Sequence, residues 1–278
     1  MDRLDLHLHS NYSDGENSVS DLLKKVFKAG VQVCSVTDHD SLDQVKPAFE
    51  YGTLLGLEMV AGIELSTFFE GGEVHVLGYG FDAEDSGLRA FVEEQFARRQ
   101  QRVQEMVQLL NEMGVALTYE DVLRQSPGPY VGRPHIAKAM IEKGFIRSMG
   151  EAFSLEYIGN FGKAYLPPEQ TPSEEAVQII QDAGGISVLA HPGLFFSTEG
   201  QRGMSRDQLL FLQKKGLRGI EVYHSRHSLS QVQEYLSIAR KHGFGVTLGS
   251  DYHYGPYFPI FPSIPVQIRE EAYEWLKG

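Results

Sequence analysis

Two histidines and a carboxylate lie close together in the first strand-like segment of the chain. In DLHLHSNYSD, residues 5–14, leucines alternate with polar residues, so His7 and His9 share one face of a strand and Asp14 follows in the next turn. Two imidazoles and a carboxylate at this spacing can bind one divalent cation. A surface strand with a solvated polar face shows the same alternation, so this segment alone leaves both interpretations open.

Further candidate ligands occur in or directly after other predicted strands. They are His39 in TDHD, Glu64 in GIE, His75 in EVHV, His191 in AHP, and Asp251 and His253 in SDYH. Each of them alone is more often a structural residue, and TDHD or SDYH would also suit a helix cap or a polar turn. Because these residues recur at one end of successive strands, the sequence instead predicts a site for two or three divalent cations, such as Mn²⁺, Zn²⁺ or Fe²⁺.

The elements that must position these residues alternate between strand and helix. Apolar runs predict strands at 3–9, 32–37, 58–64, 73–79, 185–190, 219–222 and 245–249, and helical patterns at 19–28, 42–55, 205–215 and 230–241. Gly71 and Gly72 predict a hairpin before the fourth strand. The alternation indicates an α/β fold with a parallel sheet, open or closed into a barrel, whose strands end at one mouth.

One long region lacks strands. From about residue 86 to 164 the pattern is helical, which predicts a helical insertion that contributes to the substrate site. The expected division is therefore a first barrel part at 1–86, the insertion at 87–165 and a second barrel part at 166–278.

Composition limits the classes of function. The chain has 278 residues, 42% of them hydrophobic, and a formal net charge of −12, which argues against binding duplex DNA through general electrostatics. No leader-like or membrane-spanning apolar run is evident, so we expect a cytoplasmic protein, and no obligate protein partner is inferred. Cys34 is the single cysteine and fits a buried strand position better than a catalytic thiol.

The order of these motifs resembles the PHP (polymerase and histidinol phosphatase) superfamily of metal-dependent phosphoesterases. The matching stretches are HLHSNYSD at 7–14, TDHD at 37–40, the pair Glu64 and His75, AHP at 190–192 and SDYH at 250–253. The insertion, with FARRQQR and GRPHIAKAM, is similar to the branch that contains nucleoside 3′,5′-bisphosphate phosphatases and 5′ to 3′ exoribonucleases of short RNA. The resemblance implies a distorted (β/α)7 TIM-like barrel that hydrolyses a nucleotide or a short oligoribonucleotide.

The resemblance also implies three metal sites. By position, the ligand sets are His7, His9, Glu64 and Asp251; Glu64, His75 and His191; and Asp14, His39 and His253. Glu64 and Asp251 are therefore catalytic candidates as well as ligands. A metal-activated hydroxide would attack phosphorus, and a metal-bound water, His224 or His227 could protonate the leaving group. His224 and Ser225, both in the loop VYHSRHS, are also candidates for substrate binding. Polar loop histidines are the alternative for His224 and His227.

Basic residues of the insertion are candidates for binding a second phosphate. Arg98, Arg99 and Arg102 are close together on one predicted helix, and Arg133 and His135 begin another, where Pro134 suits the first turn. A solvated face that pairs with neighbouring glutamates is the alternative for the first group. Three aromatic residues could stack a base, although packing is the more common role: Tyr130, Tyr223 and Phe195.

Three other functions remain open. A histidinol-phosphate-type phosphatase would use the same metals, although the insertion arginines count against it. A metal-dependent amidohydrolase would normally use a bridging lysine, for which Glu64 would have to substitute. A non-catalytic module would use the metals only for stability, but structural sites are usually closed by four ligands.

Overall fold

The computed structural model describes residues 3–126, 128, 130–167, 171–255, 264 and 266–277. Within these residues the strands are β1 (Leu4–Leu8), β2 (Val33–Val36), β3 (Glu58–Met59), β4 (Gly62–Phe69), β5 (Gly72–Tyr79), β6 (Ile186–Leu189), β7 (Gly219–His224) and β8 (Gly245–Gly249). The predicted strand at 58–64 is divided between the short strand β3 and the longer strand β4, because the chain passes from pairing with β2 to pairing with β5.

The described helices surround these strands. They are α1 (Val19–Lys28), α2 (Val45–Leu55), α3 (Ser86–Glu112), α4 (Tyr119–Leu123), α5 (Arg133–Glu142), α6 (Met149–Ala152), α7 (Ser173–Asp182), α8 (Arg206–Lys214), α9 (Leu229–His242) and α10 (Val266–Lys277), with a 3₁₀ turn at Pro192–Leu194. Capping residues determine where several helices begin or end. The Ser18 side chain accepts a hydrogen bond from the backbone amide of Asp21 at the start of α1, and Gly243, with φ of 76°, ends α9. None of the helices in the described residues combines the length and apolar character of a membrane span.

The strands pair as two sheets. Strands β1, β2 and β3 form a parallel sheet, and strands β4 to β8 form a mixed one in sequential order. The hairpin predicted at Gly71 and Gly72 is confirmed, and it makes β5 antiparallel to both β4 and β6. The other described strand pairs are parallel, as expected. His75 reaches the site because it lies near the beginning of the reversed strand, opposite Ser66.

The two sheets meet at two seams. At one, His39 and Glu64 form a parallel bridge, and at the other Leu8 bridges Tyr252. Backbone hydrogen bonds reinforce both, from Glu64 N to Asp38 O and from His9 N to Tyr252 O. The structure is thus a mixed α/β fold whose sheets are joined through residues beside the predicted ligands.

The helical region has a hydrophobic core of its own. Buried side chains from Val103 to Ala164, contributed by α3 to α6 and their loops, pack together as one cluster. A separate cluster joins strands β4 to β7 with α7, α8 and α9. The helical pattern predicted from about residue 86 to 164 ends early among the described residues, because α6 ends at Ala152.

Candidate metal centre and phosphate-binding cleft

Glu64 lies at the centre of a histidine cluster. It belongs to β4 and is fully buried, because histidines from four other elements surround its carboxylate. Its oxygens lie 3.1 Å from Nε2 of both His7 and His9, 3.3 Å from His39 Nδ1, and 3.0 Å from His75 Nδ1 and His191 Nε2. The structure therefore brings together residues whose positions in the sequence extend from 7 to 191.

Two aspartates extend the cluster. Asp251 Oδ1 lies 3.2 Å from His9 Nε2 and 3.5 Å from His7 Nε2, and Asp14 Oδ1 lies 3.2 Å from His253 Nε2. The backbone is strained here, since Asp251 has φ of 55° and His191 has φ of 27°. All nine residues predicted as ligands lie in one cluster.

Unpaired polar atoms show that this cluster fits metal ions. Among the described residues, four buried atoms of the cluster have no hydrogen-bond partner: His7 Nε2, His9 Nε2, His39 Nδ1 and Glu64 Oε2. Such atoms are normally satisfied, and a cation would satisfy them all. Three groups of side chains place their ligand atoms within 4.8 Å of one another: His7, His9, Glu64 and Asp251; His9, Asp14, His39 and His253; and His39, Glu64 and His75.

The electrostatics of the cluster favour ionised carboxylates. Burial opposes ionisation, but the neighbouring histidines hold the pKa of Glu64, Asp14 and Asp251 well below their usual values. Burial would likewise lower the pKa of His75 and His253, yet the carboxylates beside them raise both values to about 10. In metal-free protein, protons on His75 and His253 balance the negative charge of the neighbouring carboxylates.

Glu221 is a functional candidate that the sequence interpretation missed. It lies within β7, fully buried, and its Oε1 is 2.9 Å from His7 Nδ1 while Oε2 accepts the amide of His191 at 2.8 Å. A proton on Nδ1 leaves His7 Nε2 free to bind a metal. Gly249 leaves room for this contact, because a Cβ there would lie 2.5 Å from Glu221 Oε1. A carboxylate inside the apolar run GIEV was the available signal.

A small cavity beside the cluster contains three arginines. Its volume is about 150 Å³, and its lining includes His39, Glu73, His75, Arg99, Arg102, Tyr130 and Arg133. Arg102 donates through Nε to Leu166 O at 2.7 Å, but its buried Nη2 has no partner among the described residues. Arg133 pairs with Glu73 at 3.1 Å, and Arg99 donates to Ser66 Oγ at 2.6 Å and pairs with Asp40.

Two of the predicted phosphate-binding residues lie elsewhere. Arg98 donates to Glu94 at 2.5 Å one helical turn away and contacts Thr171, and it lines none of the cavities described here. His135 is buried, and its Nδ1 accepts the amide of Gly132 at 3.1 Å, which caps the start of α5. Burial lowers the pKa of His135 to about 4, as suits a neutral structural residue.

The predicted proton donors are engaged in other contacts. His227 Nε2 accepts the amide of Gly193 at 3.1 Å and its Nδ1 donates to Val222 O at 2.9 Å, so neither nitrogen is available to a leaving group. His224 Nδ1 accepts the amide of Arg226, which leaves Nε2 to donate to Asp251 Oδ2 at 3.3 Å. Ser225 is exposed beyond the end of β7.

A larger cavity of about 590 Å³ opens over the cluster. Arg133, Phe153 and Asn160 line one side, and Phe195, Phe196 and Arg226 line another. Phe195 lines this cavity but is buried in the hydrophobic core. Tyr130 lies beneath the Arg99 guanidinium, 4.6 Å from ring centroid to Cζ. Tyr223 packs against the hydrophobic core instead, which argues against base stacking.

Comparison with known proteins identifies the family. Residues 5–186 match the PHP domain, and the chain belongs to this family. The resemblance drawn from the ordered motifs is confirmed.

Three similar proteins extend the comparison. The chain is 30% identical to the 5′-3′ exoribonuclease Rnm of Salmonella typhimurium, over 90% of this chain and 84% of that protein. It is 28% identical to the 3′,5′-nucleoside bisphosphate phosphatase of Chromobacterium violaceum, over 91% of this chain and 88% of that protein. A solved Bifidobacterium adolescentis structure assigned to the metal-dependent phosphoesterases superimposes with a TM-score of 0.85 at 28% identity, covering 98% of this chain and 96% of that one.

Proposed function

We propose that this protein is a metal-dependent phosphoesterase of nucleotides. Its reactions would be removal of the 3′-phosphate of nucleoside 3′,5′-bisphosphates, 5′ to 3′ exonucleolytic cleavage of short RNA, or both. The observation that carries the proposal is the position of unpaired, buried ligand atoms directly beside a cavity lined by three arginines. Two of the similar proteins described above carry these activities.

The proposed metal ligands are the nine clustered residues, in the three sets that the family resemblance implies. The structure supports His39 as a ligand near Glu64 as well, because its Nδ1 lies 3.3 Å from Glu64 Oε2. Two or three Mn²⁺, Zn²⁺ or Fe²⁺ ions suit this donor set. When bound, such ions supply a hydroxide near neutral pH and neutralise phosphoryl oxygens.

Residues of the chain would orient the substrate and the ligands. Arg99, Arg102 and Arg133 would bind a terminal phosphate, since guanidinium groups match phosphate oxygens and the unpaired Arg102 Nη2 faces a polar cavity. For Arg98 and His135, only the sequence pattern supports a role in phosphate binding. Glu221 would fix the tautomer of His7, and His224 would hold Asp251 in place.

For the architecture, we propose a distorted (β/α)7-like barrel with a helical insertion at 87–165, between barrel parts at 1–86 and 166–278. The seams at His39–Glu64 and Leu8–Tyr252 support closure of the sheets, and the separate core of the helical region supports the insertion. A cytoplasmic location is proposed as well, on the apolar pattern of the sequence alone.

The test is release of phosphate and mononucleotide from three substrates by manganese-loaded protein. Adenosine 3′,5′-bisphosphate and a 5′-phosphorylated RNA pentamer should be hydrolysed, histidinol phosphate should be a poor substrate, and metal-stripped protein should be inactive. Preference for histidinol phosphate would favour the small-metabolite alternative. Loaded protein that hydrolyses none of them would point to an amidohydrolase or a non-catalytic module.

A further inference from the structure

The cleft has a second wall, to which the proposed function assigns no role. It is formed by the loops after β6 and β7 and lines the larger cavity together with His191 and Asp251. Its side chains are Leu194, Phe195, Phe196, Met204 and Arg226. A nucleoside bisphosphate held by the three insertion arginines would end at the metal cluster and leave this wall unused.

His227 makes this wall rigid. By bonding to the amide of Gly193 and to Val222 O, it ties the loop after β6 to β7. Gln231 Nε2 also donates to Gly193 O at 2.9 Å. The approach is so close that a Cβ on Gly193 would lie 2.8 Å from the His227 ring. The aromatic residues that follow Gly193 are therefore held in place before any ligand binds.

The wall combines a cation with an aromatic face. The Arg226 guanidinium has no hydrogen bond or ion pair with any residue in the described part of the chain, although it lines the same cavity as six of the nine proposed ligands. The Phe196 ring lies 5.7 Å from that of Phe161 in the helical region and 5.2 Å from the Arg202 guanidinium. Aromatic faces and arginines together are typical of sites for single-stranded nucleic acid.

We propose that this wall binds the nucleotide on the 3′ side of the scissile phosphate, with its base against Phe196 and its own 3′-phosphate on Arg226. The inference rests on the proposed function and assigns a second nucleotide subsite to the same cleft. Water oxygen bonds to phosphorus, the bond from phosphorus to the upstream O3′ breaks, and that oxygen takes up a proton. The downstream product keeps the phosphate at its 5′ end.

The experiment compares kcat/KM on a 5′-phosphorylated RNA pentamer with kcat/KM on adenosine 3′,5′-bisphosphate, using manganese-loaded protein. In Arg226→Ala the ratio of kcat/KM on RNA to kcat/KM on the bisphosphate should fall about tenfold, and Arg226→Lys should restore most of this ratio. In the same alanine variant, log(kcat/KM) for RNA should fall less steeply with the logarithm of the salt concentration, the slope being smaller in magnitude by about 0.7. Arg206→Ala is the matched control, because this exposed arginine pairs with Asp207 on α8 and should leave the ratio unchanged.

Phe196→Leu provides a second, independent variant. It keeps an apolar side chain but loses the stacking face, so the ratio should again fall while the melting temperature stays close to that of the wild type. Unchanged ratios in both variants, or equal losses on the two substrates, would overturn the proposal. Wild-type protein that hydrolyses the bisphosphate but not the pentamer would also overturn it and leave the proposed function standing. Failure of the proposed function looks different, since the wild type would then hydrolyse neither substrate.

Discussion

Glu221 Oε1 lies 2.9 Å from Nδ1 of His7, and neither residue is exposed to solvent. The contact turns the unpaired Nε2 of His7 towards Glu64 and Asp251. A carboxylate behind a ligand histidine commonly fixes both the ring orientation and the tautomer. The first prediction follows from this pair.

Glu221→Gln should weaken metal binding by about 10- to 100-fold, because the amide no longer supplies a negative charge to His7. Metal titration followed by turnover at each metal concentration measures the effect. Activity should recover at high metal concentration, since the proposed ligands are intact. The matched control is Glu234→Gln on the exposed side of α9. Equal metal affinity in the two variants would remove Glu221 from the site.

Glu64→Ala should abolish both turnover and metal loading, with a rate loss of about three orders of magnitude or more, because five histidines share this carboxylate. Metal content per chain and the rate on adenosine 3′,5′-bisphosphate are measured together. Glu64→Gln, which keeps the shape of the side chain, separates loss of charge from loss of packing. Full activity with fewer bound metals would exclude Glu64 from the mechanism.

Arg102→Lys should raise KM for adenosine 3′,5′-bisphosphate by about tenfold, because lysine keeps the charge but loses the forked donor whose Nη2 is unpaired. p-Nitrophenyl phosphate, which has no second phosphate, should be much less affected. Arg98→Lys is the matched comparison, since Arg98 pairs with Glu94 one turn away on the same helix. A larger effect at Arg98 than at Arg102 would restore the first interpretation of the helix, in which Arg98 binds phosphate.

Metal-free protein should lose stability as pH rises from about 6.5 towards 9. The pKa values of His75 and His253 are raised to about 10 in the folded state, so their protons stabilise the fold fully below the unfolded value near 6.5. That contribution is lost as pH rises towards the folded values. Bound metals replace these protons, and loaded protein should show little change over the same range. Urea unfolding at pH 6.5, 7.5 and 8.5, with and without manganese, measures the free energy of unfolding. The same pH dependence in metal-free and loaded protein would contradict the prediction.

The sequence was most informative where chemistry and periodicity coincide. Histidines and carboxylates in or just after successive strands predicted nine residues that the structure brings together, because parallel strands end at one mouth of a sheet. His75 joins them from the beginning of the antiparallel strand β5. Helices α1, α8 and α9 were predicted within about one residue of their observed ends, since caps such as Ser18 and Gly243 are local signals.

Tertiary contacts decided what the sequence could not show. Glu221 appeared to be one polar residue in a strand, and only the approach of β1 to β8 gives it His7 as a partner. His227 looked like a free loop histidine until its two backbone partners, Gly193 and Val222, were visible. Arg98 and Arg102 are one turn apart on α3, and their different surroundings depend on which side of the helix meets Leu166 and the cleft.

The seams between the two sheets have a consequence for how the protein opens. Proposed ligands lie directly at both seams: His39 and Glu64 form one, and His9 donates to Tyr252 at the other. Ions that bind these side chains would cross-link the two sheets at both seams. Amide hydrogens of His9 and Glu64 would then exchange with solvent only after the ions leave, so separation of the sheets at a seam and loss of metal would be a single event.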